Sequence, residues 1–351
     1  MQRLEAKKIH GRTYYYFSTW GWREGKCRRI SQKYLGKAED IAQALQATGP
    51  TPQHAEVLAL GLPLALWQEA KRLQVAEHVD HLCPKRDQGL STGDYIRLAA
   101  INRAAHPVSK QAMWDWLSRT ALSRVWPQAK ATQLTSQCFW DHMDRIPEAT
   151  AQEIWQAIMS GVVQREKIDL SQICYDGTNF YTFIDTFNLK CQVAKRGKNK
   201  QGRANLRQIS YALFCSTDGQ LPLFYEVYEG NRNDAKEFPK VLEKFHHWLS
   251  QHAGAGAAAP KPTLIFDKGN NSADNFALVD SFSLGYVGSV KLDEHADLAA
   301  ISNQDARWQP ATEPGLEGTK SWRTQQTVYG QERTLVLTYN EQLFQSQWPK
   351  I

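Results

Sequence analysis

The chain has 351 residues, 42% hydrophobic and 22% charged, a globular balance with apolar material for two or three domains. It has no run of about 18 apolar residues, and its start, "MQRLEAKKIHGRTYYYF", lacks a signal-peptide core, so a membrane span and secretion are excluded from the reading. The formal charge of +6 is uneven: residues 1–38 carry +8, residues 190–207 carry +7, and the rest carries −9.

In chain order, residues 5–36 read as short strands in "KKIHG", "TYYYFSTWGW" and "CRRISQKYLG", where aromatic and β-branched residues alternate with basic ones between glycines. That alternation predicts one packed face and one basic face. From about Ala38 to Lys167, apolar residues recur at three- and four-residue spacing, as in "STGDYIRLAAINRAA" and "TAQEIWQAIMSGVVQREK", and predict helices. Ser109 is the expected N-cap of one of them. A helix pair around 93–121 suits either DNA reading or ordinary bundle packing, and the pattern favours packing. After Lys167 the rhythm changes. "QICYDGTNFYTFI" reads as a strand, and "RQISYALFCST" turns through Asp218-Gly219 into "LPLFYEVYEG". "NDAKEFPKVLEKFHHWLSQ" is a helix with Asp234 at its positive end, and "HAGAGAAAPKP" is a linker of small residues. "TLIFDKG" is a short, wholly apolar strand ending in an acid, Ser272 caps the helix "SADNFALVDSFS", and "GYVGSVKL" is a last strand. The expected fold class is α/β: a mixed sheet with helices, preceded by a helical region and a small N-terminal β segment.

Two residues carry the chemistry. Asp176 and Asp267 are each expected at the tip of a strand, 91 positions apart in sequence. If those strands are neighbours, the two carboxylates converge on one place that suits Mg²⁺ (or Mn²⁺), hard cations that prefer oxygen ligands and substrate phosphates. Gly177 and Gly269 leave room beside them, and Thr178 and Asn179 are candidate supports. The basic segments are expected to lie along a polyanion. Lys7, Lys8, Arg12, Arg23, Arg28 and Arg29 form the first candidate set; Lys195, Arg196, Lys198, Lys200, Arg203 and Arg207 form the second. Trp20 and Trp22 read as core rather than as base-stacking residues. The six cysteines have no zinc-site spacing and read as buried free thiols of a reducing compartment. No GxxxxGK[ST] or GxGxxG loop occurs, and His246-His247 reads as a packed pair rather than a metal site.

The stretches "YDGTNFYT", "RQISYALFCSTDGQLPLFYEVYEGNRND" and "LIFDKGNNSADNFALV…LGYVGSVK" together resemble the DDE transposases of bacterial insertion sequences, in the insertion sequence 4 superfamily. "GRTYYYF…QKYLGKAED" and "INRAAHPVSKQAMWDWLSRTAL" extend the likeness over nearly the whole chain. The resemblance implies a ribonuclease-H-like core with Asp176 and Asp267 as first and second catalytic aspartates, served by two Mg²⁺ ions. It implies supporting roles for Asn231 and Asp234 in "GNRND". Lys268 stands where the family often has Arg, which keeps the charge and loses a planar two-point contact. It further implies double-stranded DNA partners (terminal inverted repeats and target DNA), a homo-oligomer, and a cytoplasmic, nucleoid-associated protein. The segments expected are 1–38, basic and DNA-contacting; 39–167, helical, for DNA binding or dimerisation; 168–300, the core; and 301–351, the start of a β-rich insertion. The family's third acid, a glutamate in Tyr-x-x-Arg-x-x-x-Glu, has no match in the chain, so a truncated form is expected, either catalytic or a DNA-binding remnant.

Overall fold

The structure is a computed structural model that describes residues 1–351 except 24, 48–54, 85–88, 186, 198–201, 204, 253–260, 291 and 348–351. In chain order, β1 (Gln2–Ile9), β2 (Arg12–Arg23) and β3 (Lys26–Gly36) precede α1 (Ala38–Ala47), α2 (Gly61–Arg72), α3 (Val75–Leu82) and α4 (Thr92–Ala105). Next come α5 (Met113–Ser118), α6 (Leu122–Val125), α7 (Ser136–Met143) and α8 (Glu148–Glu166). The α/β part holds β4 (Gln172–Thr182), β5 (Lys195–Arg196), β6 (Arg207–Ser216), β7 (Pro222–Glu229), α9 (Asp234–His252), β8 (Thr263–Ile265), α10 (Ala273–Ser281) and β9 (Gly285–Val287). The chain continues through α11 (Ala296–Ala299), β10 (Gln309–Pro310), β11 (Thr319–Val328), β12 (Gln331–Asn340) and α12 (Glu341–Gln347). Among the described residues no helix is long and apolar enough to cross a membrane.

The chain divides into two compact units, Met1–Leu64 with Trp114–Pro127, and Ala65–Met113 with Gln128–Ile351. These are not the segments read from sequence, and the helix pair expected around 93–121 is split between them.

In the first unit, β1, β2 and β3 form an antiparallel sheet. Strand alternation puts Lys7, Arg12 and Arg29 on one face, with Lys8 and Arg28 on the other, so basic side chains occupy both faces rather than the single one expected. The first face is centred on Glu5. It accepts from Trp20 Nε1 at 2.8 Å and pairs with Arg3 at 3.3 Å and Arg29 at 3.6 Å, while both guanidiniums stand over the Trp20 ring. Trp22 is 76% exposed, against the expectation that it belongs to the core. Further along, Ala59 bridges Thr120, and Arg124 pairs with Glu56 at 2.8 Å.

The second unit contains α3, α4, α7 and α8 of the helical region, with most of α2. Ser91 caps α4 with a capping box, while Ser109 caps a 3₁₀ turn, Lys110–Ala112, that leads into α5. The main sheet has β4 at its centre, with β6 then β5 and β7 on one side, and β8 then β9 on the other. β6 is antiparallel to both β4 and β7, whereas β8 runs parallel to β4, and β9 parallel to β8. Leaving aside the short β5, the order β7-β6-β4-β8-β9, in which the first, second and third strands of this sheet in sequence lie 3-2-1 and the fourth and fifth follow, is ribonuclease-H-like. The Asp218-Gly219 turn joins β6 to β7 as expected, with Gly219 at φ 66°.

One face of this sheet carries the core. Ile173, Tyr175, Ala212, Phe214 and Phe224 meet Phe238, Val241, Leu242 and Phe245 of α9, all buried. Phe214 stacks on Phe245 with centroids 3.9 Å apart. His246 stacks on Phe282 at 4.1 Å, a packing role consistent with its helical setting. At the edge, α8 donates from Gln152 and Trp155 to the carbonyls of Tyr225 and Leu223 in β7. The glycine of "GNRND" is fixed by crowding: a Cβ on Gly230 would lie 2.0 Å from the Gln208 carbonyl oxygen.

Two local expectations change. β4 runs to Thr182, close to the strand read in "QICYDGTNFYTFI", so Asp176 lies within the strand rather than at its tip, with β6 paired along β4 on both sides of the acid. Of the six cysteines expected to be buried, only Cys83 is; Cys27 and Cys174 are exposed, and the others are half-buried.

Candidate two-carboxylate site

The parallel ladder between β4 and β8 runs Gln172↔Thr263, Ile173↔Leu264 and Cys174↔Ile265. Continued by two residues, that register sets Asp176 opposite Asp267. The side chains next along the two strands fit that register. Tyr175 and Phe266, one step short of the acids, are both buried and both meet the Phe238 ring, at 5.0 and 5.5 Å. Phe266 also keeps a strand bond to Val287 at 3.0 Å. Since side chains alternate across a strand, the next residue of each chain points to the opposite, solvent-facing side. Asp176 and Asp267 are both exposed, and the continued register sets them on one face and at one level.

Their immediate partners differ. The Asp176 carboxylate accepts no hydrogen bond among the described residues. Asp267 Oδ1 accepts from the Gly269 N–H at 2.9 Å and from Asn270 Nδ2 at 3.3 Å, which orients the carboxylate. A Cβ on Gly269 would lie 3.0 Å from that oxygen, so the glycine makes the tight return possible. Asn270 is 4% exposed, and its carbonyl accepts from Asn275 Nδ2 at 2.7 Å; the same amide reaches the Ala235 carbonyl at 3.2 Å. Asn275 thus ties the turn that holds Asp267 to the first turn of α9. Asn275→Ala is expected to leave these buried carbonyls unpaired and cost about 1–3 kcal/mol, read as a lower urea midpoint with an unchanged slope.

Asp234 opens α9 behind β4, on the face opposite the two aspartates. Its carboxylate accepts from the Tyr228 hydroxyl at 2.7 Å and stands 3.5 Å from where a Cβ on Gly177 would be. Gly177 therefore leaves space for Asp234 rather than beside Asp176. The Tyr175 hydroxyl, on a side chain 3% exposed, has no hydrogen-bond partner among the described residues. Burial pushes its pKa well above the usual phenol range, and the charges of Asp234, Asp176 and Asp267 push it further. Tyr228 is raised by burial and then by its bond to Asp234.

The remaining expected residues separate clearly. Thr178 shares the Asp176 face, whereas Asn179 points the other way and accepts from the buried Ser210 hydroxyl at 2.9 Å. Asn231 is exposed, and its side chain forms no hydrogen bond among the described residues; it is the neighbouring Asn233 that caps α9, through the Ala235 N–H at 2.9 Å. Sequence reading misses Asn233, Asn270 and Asn275, although "GNNSADN" and "RND" carry the Asn and Ser signature of helix starts. The Lys268 and Arg23 side chains, with Lys198 and Lys200, lie outside the described residues.

Arg207 departs from its expected role along DNA. Its guanidinium donates to the carbonyls of Ala194 at 2.6 Å, Asn188 at 2.8 Å, Asp185 at 3.2 Å and Cys191. It gathers these four carbonyls and has little capacity left for phosphate. Arg196 is exposed and Lys195 half-buried on β5, and Arg203 lies 4.8 Å over the Tyr181 ring.

Among the described residues no three His, Cys, Asp or Glu side chains come together closely enough to hold a metal ion. The donor set present is two exposed carboxylates with open oxygens. It fits Mg²⁺ or Mn²⁺, since such ions bind through one or two carboxylates plus water and substrate phosphates.

No family model matches the chain, and no curated protein matches it. Among solved structures, it is similar to a piggyBac transposase synaptic complex with hairpin DNA, at 12% identity and TM-score 0.36, over 79% of this chain and 60% of that one. It is also similar to a Mos1 transposase paired-end complex with a left transposon end, at 10% identity and TM-score 0.23, over 71% of each chain. A Mos1 strand transfer complex matches at 10% identity and TM-score 0.23, over 75% of this chain and 78% of that one. The chain spans 60% of the length of the piggyBac chain. The strand order, rather than these likenesses, carries the fold assignment.

Proposed function

We propose that this chain is a DNA transposase of the DDE type, of the insertion-sequence group its sequence resembles, acting on terminal inverted repeats and target DNA as a homo-oligomer. One observation supports the reading above others. Asp176 and Asp267 are exposed at the same level and on the same face of neighbouring parallel strands in a ribonuclease-H-like sheet. In the proposed reaction, water opens the phosphodiester at an element end, and the freed 3′-hydroxyl attacks the target. Asp176 and Asp267 would hold Mg²⁺ or Mn²⁺, one ion or two, which when bound supply charge stabilisation and an activated oxygen. The Gly269 N–H and Asn270 keep Asp267 oriented, so the site needs little rearrangement to take up substrate. The test is incubation of the protein with a terminal-repeat duplex and Mg²⁺ or Mn²⁺. Cation-dependent nicking at the repeat end is expected, and nicking of branched DNA of any sequence would point instead to a structure-selective nuclease.

A second reading, a DNA-binding remnant without cleavage, is favoured by the lack of a third metal-binding side chain beside the pair among the described residues. Binding of the repeat without nicking is its signature.

Both readings use the N-terminal sheet on DNA. Lys8 and Arg28 stand on the face away from Glu5. Replacing Lys8 and Arg28 by Ala is expected to flatten the slope of log affinity against log salt by about 0.9 for each phosphate no longer neutralised. A slope equal to wild type would remove these residues from the interface.

A further inference from the structure

Cys174 of β4 and Cys215 of β6 stand directly opposite each other in the antiparallel ladder. Both thiols are free, Cys174 exposed and Cys215 half-buried. The kind of pair they make follows from the ladder's end. The Thr217 N–H donates to the Gln172 carbonyl at 3.1 Å, which marks that level as hydrogen-bonded. Two residues along, by the alternation of such ladders, Cys174 and Cys215 occupy another hydrogen-bonded level, with Cα atoms about 5.5 Å apart. Disulfides are built on Cα separations of about 4.4–6.8 Å, so no change of strand register is needed. Directly opposed Cβ atoms lie about 4.5–5.5 Å apart, slightly more than the 3.5–4.5 Å a relaxed bridge prefers. A small inward movement of the strands is required, and a bridge under such tension is reducible rather than permanent.

The geometry points to Cys174 and Cys215 as a thiol-modification site: a reversible cross-strand dithiol–disulfide couple on the same sheet face as Asp176. This couple is independent of the transposase reading. The exposed Cys174 is the point of entry. Cys215 is held as a thiol, its pKa raised by burial and then by Cys174. With a low-molecular-weight disulfide such as glutathione disulfide, the Cys174 thiolate attacks one sulfur, forming a mixed disulfide and releasing one glutathione thiolate. Cys215 then attacks the Cys174 sulfur, giving up its proton to solvent and expelling the second glutathione. The protein loses two electrons and two protons, and one glutathione disulfide becomes two glutathiones. The product ties β4 to β6 two residues before Asp176.

The test treats the full chain with glutathione disulfide, alkylates the remaining thiols, and maps the peptides by mass spectrometry without reduction. A peptide linked through Cys174 and Cys215 is expected, reverting to two thiols with dithiothreitol and lost in Cys174→Ser. In that variant, Cys215 is expected to stay alkylatable. Because Cys174 is exposed, its serine variant keeps the fold even if Cys215→Ser does not. Glutathione retained on Cys174 with Cys215 free, or both thiols alkylated after treatment, would overturn the inference.

Discussion

Asp176→Asn and Asp267→Asn are each expected to lower cation-dependent nicking of terminal-repeat DNA by at least about 100-fold. The fold should stay unchanged. Both side chains are exposed, and Asn keeps the shape while removing the charge, so the stability change is expected within about 0.5 kcal/mol. For Asp267→Asn the acceptor for Gly269 and Asn270 also survives, because the amide oxygen replaces Oδ1. The double variant is expected to be no worse than the poorer single one, since the two groups act as a unit and their losses do not add. Nicking assays with matched circular dichroism melts check this. Activity that persists in either variant would remove that aspartate from the chemistry.

Arg333→Ala is the substitution with the largest expected effect on folding. Arg333 projects from β12 into the main sheet's outer layer. It donates to both Asp280 oxygens, at 3.2 and 2.7 Å, to the Tyr286 hydroxyl, and to the Val328 carbonyl at 3.0 Å. Its guanidinium lies 5.2 Å from the Phe276 ring centre, and its side chain is 9% exposed. This one residue links the β11–β12 hairpin to α10 and β9, above a cleft of about 840 Å³ lined in part by Val287, Leu335 and Leu337. Truncation leaves the Asp280 carboxylate, 25% exposed, without its partner. Breaking such a pair costs about 3 kcal/mol. Hydrogen exchange is expected to rise first across residues 319–340, with the β4–β6 ladder retaining its protection. Uniform loss of protection would instead make the hairpin part of the core's own cooperative unit.

Much of the α/β part is legible from sequence because its signals are local. The Asp-Gly turn, the apolar "TLIF" and the N-cap Ser272 each depend on a few adjacent residues, and the structure contains them all. The features that escape a sequence reading depend on contacts between distant residues. Reading "QICYDGTNFYTFI" as one strand does not reveal which strand pairs with it beyond Asp176, and so does not show that the acid sits mid-strand. Asp234 reads as an acid suited to a helix dipole, while its bond to Tyr228 and its place behind Gly177 arise only when α9 packs on the sheet. Charge counting places Arg207 with its basic neighbours, since composition cannot show a guanidinium turned toward four carbonyls of its own loop. Residue type alone makes the cysteines core residues, yet the exposure of Cys174 follows from strand parity, the same alternation that exposes Asp176.

Whether Asp176 and Asp267 form a single divalent-cation site is tested most directly, and without requiring turnover, by a Mn²⁺ titration followed by electron paramagnetic resonance. Wild-type protein with a terminal-repeat duplex is expected to bind the ion, and either Asn substitution alone is expected to abolish that binding. Wild-type-like binding that survives in both single variants would contradict a shared site.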